Sequence, residues 1–440
     1  MALRAFSIVS RCCFALACLV EPPVSAQVAG SPVAVPPGRG APPKGAIDAR
    51  LFVVDDTPDC RFSGSIQEAI DAASDGDIVL VRPGNYEGGI AIDQKGVSVF
   101  GDPQGIPNSV KVTGPLSIRR LAAHQPVVLR DLELDIGSGS TSRSFKVDDC
   151  DGPVWVERCK LINSESDVLL ADSVVGFFDS ELSRGLWVRR NATAFGYVSR
   201  FLGMHGRNGD VSCHGYCSTY DSYWPDCYGY SATSGTSGVL LSEGGRAYLF
   251  GGAVQGGGGG SGDDDGPCCF NDPCETDCQP GGHGVSVSTG CELVRMDLDA
   301  IGSTFGCPRG LPVRNQGTVT NLTGEVGAYT ITSPLLSGGS AELTFRGPAG
   351  WNVFLTYSDE YVPVYVPEFK GYSVVDPDAA TIFIGMMPLS GELTATVPFR
   401  LAPSELAKIL YSQAKLYDPD TGTPYMAAPS AMLVMREPCR

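Results

Sequence analysis

Two long glycine-rich segments carry most of the residues in this sequence whose types and spacing could do chemistry. Residues 203–237 bring Cys213, Cys217 and Cys227 together with His205, His214, Tyr216, Tyr220, Tyr223, Trp224, Tyr228 and Tyr230. Residues 255–283 read QGGGGGSGDDDGPCCFNDPCETDCQPGGH and hold Asp263, Asp264, Asp265, Cys268, Cys269, Cys274 and Cys278. Three chemistries fit such a composition. Oxidised to disulfides, the cysteines would staple loops otherwise too long and glycine-rich to keep a shape. The tyrosine and tryptophan faces of the first loop would then offer a stacking surface for sugar rings, or a structural cover. Reduced, Cys213, His214, Cys217 and Cys227, or Cys268, Cys274 and Cys278, resemble zinc-ligand spacing loosely, and an oxidising compartment disfavours that. Asp263, Asp264 and Asp265 after a glycine run suit a hard cation such as Ca²⁺; as a single copy they read more readily as a solvated acidic loop.

These residues need a scaffold, and the sequence supplies one. Ser65-Ile-Gln-Glu68 has the pattern of a capping box, and Ile66, Ala69, Ile70 and Ala73 recur at helical spacing, so a short helix is expected there. Short strands follow: Asp77–Val81, Gly89–Ile92 and Lys95–Asp102. From there strands recur with a period near twenty. The segments at 155–161, 177–182 and 196–202 align on their final leucines, Leu161, Leu182 and Leu202. Two later copies end at Val254 and Leu298, each displaced by a long insertion. A companion strand precedes each copy by about ten residues. A unit of that size cannot bury its inner face alone, whereas stacked units share one elongated core. Alternation should send one side of each strand inward and the other to solvent. The helix at 65–73 would close the first unit's open edge.

From residue 323 the pattern changes to longer alternating strands at 341–345, 351–357, 380–384 and 392–397, with a short helical stretch expected at 403–411 and a last strand near 431–435. That pattern reads as an antiparallel β-sandwich-like domain over 323–440.

The beginning of the chain reads as an address. A basic start, the apolar run Cys12–Val20 and the small-x-small triplet Val24-Ser25-Ala26 read as a secretory signal peptide over 1–26. Residues 27–50, rich in Pro, Gly and Ala, read as a flexible linker. No later run approaches the roughly 18 apolar residues of a membrane span. Sixteen cysteines are present, three of them before residue 27. The remaining thirteen read first as disulfides in an exported protein, and their odd number leaves at least one free or paired elsewhere. The formal net charge of −17 and the scattered Lys and Arg argue against nucleic acid and anionic membranes as partners.

Residues 65–102, SIQEAIDAASDGDIVLVRPGNYEGGIAIDQKGVSVFGD, resemble the opening of pectin-lyase-like β-helix proteins. That group includes pectinesterases, polysaccharide lyases and many uncharacterised secreted bacterial proteins, and the glycine-rich insertions and the added C-terminal domain most resemble the last of these. The resemblance covers about 51–320 and implies an all-β chain: a right-handed parallel β-helix over 51–322, interrupted at 203–237 and 255–283. It is specific for fold and not for activity. Pectinesterases need two acids and an arginine. Here Phe201-Leu-Gly-Met-His205 stands where their first acid motif would be, and their other two motifs do not occur. Lyases of this fold use Ca²⁺ on clustered carboxylates with a basic residue. Asp148, Asp149 and Asp151 near Arg189 are the candidates for that role, and an ordinary solvated turn is the bland alternative. The resulting expectation is an exported, non-enzymatic surface or matrix protein that binds an extracellular polysaccharide or a cell-surface component. Its ligand residues would be Tyr216, Tyr220, Tyr223, Trp224 and Tyr228. The alternative is a polysaccharide-degrading enzyme, a Ca²⁺-dependent lyase or else a glycoside hydrolase.

Overall fold

In a computed structural model the described residues are mostly β, with one α-helix among them. The structure describes residues 49–55, 65–102, 109–135, 145–162, 168–206, 233–260, 279–306, 308–375, 379 and 381–436, and the backbone of four short strands, Ser25–Gln27, Val33–Ala34, Asp210–Cys213 and Cys227–Tyr230. Most strands up to residue 321 belong to three parallel ladders, which the chain visits in a fixed order before returning one rung further on. The first ladder includes Leu51–Val54, Ile78–Val81, Ser98–Gly101, Val127–Arg130, Thr193–Tyr197, Arg246–Phe250 and Glu292–Met296. The second includes Gly84–Glu87, Val110–Thr113, Glu133–Asp135, Lys160–Ile162, Arg200–Leu202 and Ala253–Gln255. The third includes Ile90–Asp93, Leu116–Arg119, Leu186–Arg189, Val239–Leu241 and Val285–Val287. The long strands Phe145–Glu157 and Val168–Phe178 serve the third ladder with their first halves and the first with their second halves.

The corners between ladders stack as well. Asp131, Arg158, Asp179, Val198, Gly251 and Asp297 all have φ between 44° and 66° and stand at the same corner on successive rungs. Left-handed backbone suits Asp and Gly and is unusual for a β-branched residue such as Val198. Inward side chains stack column on column: Val79, Val99, Leu129, Val156 and Phe177 are Cα partners in sequence and all fully buried. Each such side chain contributes about 1.5–3 kcal/mol through removal from water. The expected helix is present as Ile66–Ala72. Its N-cap Ser65 accepts from the Glu68 amide, and Ile66, Ala69 and Ile70 are buried in the core of the stack. Lys95 Nζ donates to the Ile70, Asp71 and Ala73 carbonyls at 3.0–3.2 Å and satisfies the helix C-terminus.

Two five-stranded sheets follow. One contains Ala328–Ile331, Ser340–Arg346 and Glu392–Arg400 in antiparallel register. The other contains Asn352–Ser358, Thr381–Met386, Ala407–Tyr417 and Pro424–Met435, also antiparallel. Ser25–Gln27 and Val33–Ala34 run parallel to Glu392–Arg400, so two short pieces of the stretch read as leader and linker pair with this sheet.

Three expectations change. The stretch 403–411 is not helical: Ala407–Tyr417 is a central strand flanked by Asn352–Ser358 and Pro424–Met435. Cross-strand pairing on both sides outweighs the modest helix propensity of Ser-Glu-Leu-Ala-Lys. The repeat register is also off by one. Leu161 and Leu182 are partners, but Leu182 pairs with Phe201 rather than Leu202, and the column continues to Val254 and Ala300 rather than Leu298. Phe201 is therefore the buried residue, since a one-residue slip reverses which side chain faces inward.

The third change concerns the outer side of the first ladder, which does not face solvent. Ile78–Val81, Ser98–Gly101 and Val127–Arg130 are buried at every position. Outward residues Phe100, Val128, Trp155, Phe178, Phe195, Tyr197 and Phe250 share one core with the C-terminal sheets. Phe195 stacks on Tyr372 with ring centroids 4.2 Å apart, and Trp155 lies 5.0 Å from Tyr361 and 5.4 Å from Tyr411. The Tyr197 hydroxyl accepts from the Tyr372 amide at 2.6 Å. A buried ionic network sits inside this junction. Arg130 pairs with Asp131 at 3.2 Å and Glu157 at 3.0 Å, and Glu157 accepts from Trp155 Nε1, Ser430 Oγ and the Ala431 amide at 2.5–2.9 Å. Arg158 closes the network on Asp131 at 2.5 Å. Every oxygen of Glu157 has a partner, which is the condition for holding a charge in such a place.

Candidate functional site

The second ladder joins the third at one corner of every rung. At three successive corners the connection is drawn out into an arm. The first arm leaves at 203–206 and returns at 233–238, the second leaves at 256–260 and returns at 279–284, and the third leaves at 302–306 and returns at 308–312. The first two are the insertions expected at 203–237 and 255–283. The third, much shorter, is not evident from the repeat pattern.

The six limbs are bonded into one body, and the spacing of the bonds shows how. Gly256 and Gly259 donate to the carbonyls of Ile301, just before the third arm, and Phe305 within it. Gly257 and Gly260 donate to Thr236 and Thr233 in the first arm's return limb. Gly258, between them, donates to His205 Nδ1 at 2.9 Å. Successive amides thus point to three different neighbours and the pattern repeats every third residue, the period of a polyproline-II-type helix. Such a helix has no internal hydrogen bonds, so its amides are free to bond sideways. The return limbs do the same: Gly235 and Gly238 donate to Pro280 and His283, and Gly281 and Gly284 donate to Pro308 and Leu311.

Only glycine permits this packing. A Cβ on Gly257 would lie 1.7 Å from the Met204 carbonyl oxygen, one on Gly282 would lie 1.8 Å from that of Thr236, and one on Gly256 would lie 2.0 Å from that of Gly282. The glycine runs are therefore the interior of a backbone-packed stem. At the stem's outer edge side chains return, and Phe305 and Leu311 are 70% and 53% exposed.

The distal ends of the first two arms carry the cysteines and aromatics. A hairpin continues the first arm: Asp210–Cys213 pairs antiparallel with Cys227–Tyr230, with Ser212 opposite Tyr228 and Cys213 opposite Cys227. Tyr216, Tyr220, Tyr223, Trp224, Cys217, Asp263, Asp264, Asp265, Cys268, Cys269, Cys274 and Cys278 lie outside the described residues. Cys150, Cys159 and Cys291 are free thiols buried in the stack, and burial pushes the Cys159 thiol up to about 12. His283, which stands alone in the sequence, has a partner in the stem: its Nδ1 accepts from the Leu311 amide at 2.9 Å.

The acidic group at 148–151 is arranged differently from the stem. Asp148 pairs with Lys146 at 2.8 Å and with Arg190, which also reaches Asp172 at 3.1 Å. Asp149 occupies a left-handed corner with φ 58°, and both it and Asp151 are exposed. Arg189 stands in the same column as Asp148 with Ala171 between them, and its guanidinium lies 4.8 Å from the Trp187 ring centroid. Asp148 is thus engaged by Arg190 rather than Arg189. Among the described residues no three His, Cys, Asp or Glu side chains are placed to share a metal ion. A shallow depression at the far end of the stack, lined by Arg295, Asp297, Asp299 and Asn321, is closed on one side by the 2.6 Å bond from Arg295 to Asn321. No helix among the described residues is long and apolar enough to cross a membrane.

Neither the protein-family models nor the curated proteins contain a match to this chain.

Proposed function

We propose that this is an exported, non-enzymatic surface or matrix protein that binds carbohydrate or another extracellular ligand at the ends of the glycine stem. In this reading the three ladders form a right-handed parallel β-helix of the pectin-lyase-like kind, the C-terminal sheets a β-sandwich-like domain, and residues 1–26 a cleaved signal peptide. The observation that carries the reading is the stem. Three consecutive corners are extended and locked together by backbone bonding at positions where no side chain fits, an arrangement that holds the roots of both cysteine-rich segments side by side. The outer face of the first ladder, buried under the C-terminal sheets, is not open to a polymer. In the hairpin, the placement of Cys213 opposite Cys227 suits a cross-strand disulfide, because facing Cα atoms in an antiparallel pair fall within the span a disulfide bridges.

The test uses the purified full chain with Ca²⁺ against a panel of neutral and acidic polysaccharides, reading retention, new reducing ends and absorbance of unsaturated uronates. Retention without cleavage, lost when residues 213–230 are deleted, is the expected result. Absence of retention, or retention untouched by the deletion, would refute the tip assignment. Cleavage would replace the binding reading with an enzymatic one, and unsaturated ends would identify a lyase.

A further inference from the structure

The stem contains very few groups that can change charge. Its six limbs, 203–206, 233–238, 256–260, 279–284, 302–306 and 308–312, include only His205, His283 and Arg309 as titratable residues. Two of the protein's four histidines are therefore in the stem. Both make the same unusual use of the ring. Each accepts a backbone amide through Nδ1 at 2.9 Å, His205 from Gly258 and His283 from Leu311. An imidazole can accept only through an unprotonated nitrogen, so both bonds require the neutral ring with its proton on Nε2. Gly258 is buried in the central limb, where its amide has no solvent to turn to.

We propose that His205 and His283 make the glycine stem an acid-sensitive clasp, closed when both rings are neutral and loosened when they are protonated. An imidazolium presents N–H where each bond needs a lone pair, so protonation sets donor against donor at both contacts. The charged surroundings of His283 act in the same direction. Arg314, on the strand that follows the third arm, faces it, and Arg309 lies two residues before Leu311. Burial first, and Arg314 second, hold the His283 ring below the ordinary histidine range. His205 Nδ1 lies against the Gly258 backbone, which also adjoins the Phe305 side chain, and neither of these residues is charged.

The sign follows by linkage. His283, whose folded-state affinity for protons is lowered, binds protons more readily when released, so its contact is favoured at neutral pH and weakens as pH falls below about 6.5. The limbs of all three arms meet at these two contacts. Their loosening would therefore release the roots of both cysteine-rich segments together. The consequence for ligand binding rests on the function proposed above, whereas the stem's response to acid does not.

Amide hydrogen exchange followed by mass spectrometry on the full chain tests the clasp. Peptides spanning 256–260 and 308–312 would be compared at pH 7.5 and pH 5.0, after correction for intrinsic exchange. The expected result is a loss of protection of at least tenfold in both peptides at pH 5.0, with peptides from the ladder core unchanged. The double variant His205→Asn/His283→Asn supplies an amide oxygen as a non-titrating acceptor. It should keep protection at both pH values, whereas His205→Ala/His283→Ala should lose it at both. Equal protection of the native stem at both pH values would overturn the proposal. So would an acid loss that persists undiminished in the asparagine variant. If the asparagine variant does not fold, imidazole titration of the native protein by NMR decides: His283 must titrate below the free-imidazole value of about 6.5, and a His283 that titrates there or above it refutes the clasp. Polysaccharide retention at pH 7.5 is read separately, so failure of the clasp and failure of the binding reading give different results.

Discussion

Replacing Gly282 with alanine tests whether the stem is held by backbone contact. The new Cβ would lie 1.8 Å from the Thr236 carbonyl oxygen, and the atoms behind that oxygen are backbone, at 2.4 and 3.1 Å. Ordinary contact begins near 3.4 Å, so one limb must retreat by about 1.6 Å, and no flexible side chain is present to yield instead. That displacement exceeds what the neighbouring bonds tolerate. Gly282 donates to Gly257 at 2.7 Å, Ser303 donates to Gly282 at 2.9 Å, Gly281 donates to Pro308 at 3.0 Å, and Gly235 donates to Pro280 at 3.0 Å. Loss of three or four such bonds, at 0.5–1.5 kcal/mol each, costs about 2–5 kcal/mol of local stability. In hydrogen exchange this is a fall in protection of roughly 30- to 5000-fold across 233–238 and 256–260. The melting of the ladder core should move little, because the stem lies outside it. Gly290→Ala is the control. With φ 79° and nothing within 4 Å of its Cβ position, it costs only backbone strain, about 1–2 kcal/mol. If Gly282→Ala kept stem protection within threefold of the native value, or lost no more than a local effect like that of Gly290→Ala, the backbone-packed stem would be wrong.

Three further outcomes follow from other parts of the molecule. Arg130→Met strands Glu157 as an unpaired buried charge and should cost about 3–5 kcal/mol in urea denaturation, while Arg130→Met/Glu157→Leu should recover much of it; a single-variant loss under about 1 kcal/mol would count against the network. Phe201→Ala should cost about 3–5 kcal/mol and Leu202→Ala under about 1 kcal/mol, and the reverse order would restore the register expected from the leucines. Native protein exposed to a thiol-alkylating reagent at pH 8 should leave Cys150 and Cys159 unmodified, since burial raises both thiols; labelling of either within minutes would mean that the stack opens readily.

Much of the scaffold is legible in the sequence because it depends on local chemistry. Ser65 and Glu68 mark the helix, and the twenty-residue recurrence marks the rungs, since a stacked strand repeats its burial pattern wherever the chain returns. The register is not legible in the sequence because Phe201 and Leu202 are both apolar and adjacent, and only the Leu182–Phe201 pairing decides between them. The buried face of the first ladder could not be inferred from any one strand, for its cover comes from residues some two hundred positions later. A signal existed nonetheless: Arg130 and Glu157 occupy the same place in successive rungs and carry opposite charges. The glycine runs were visible, yet read in sequence they suggest slack chain. Their order arises from limbs lying side by side, and side-by-side placement follows only once the three corners are known to stack. The third arm leaves no mark in the sequence because at 302–312 it is too short to disturb the repeat.

The cover over the first ladder also sets an order of events. While the chain emerges amino end first, the strip carrying Phe100, Trp155, Phe178, Tyr197 and Phe250 can assemble rung by rung on its own, yet nothing encoded before residue 328 is available to shield it. The strands that do so, out to Pro424–Met435, are made only after the whole stack. For most of synthesis the nascent protein therefore presents a long aromatic stripe to its surroundings, the kind of surface that invites association with other chains. The strands from residue 328 on thus act as a built-in escort that arrives late, and any interruption of the chain before them leaves the stack complete in its core but adhesive along one side.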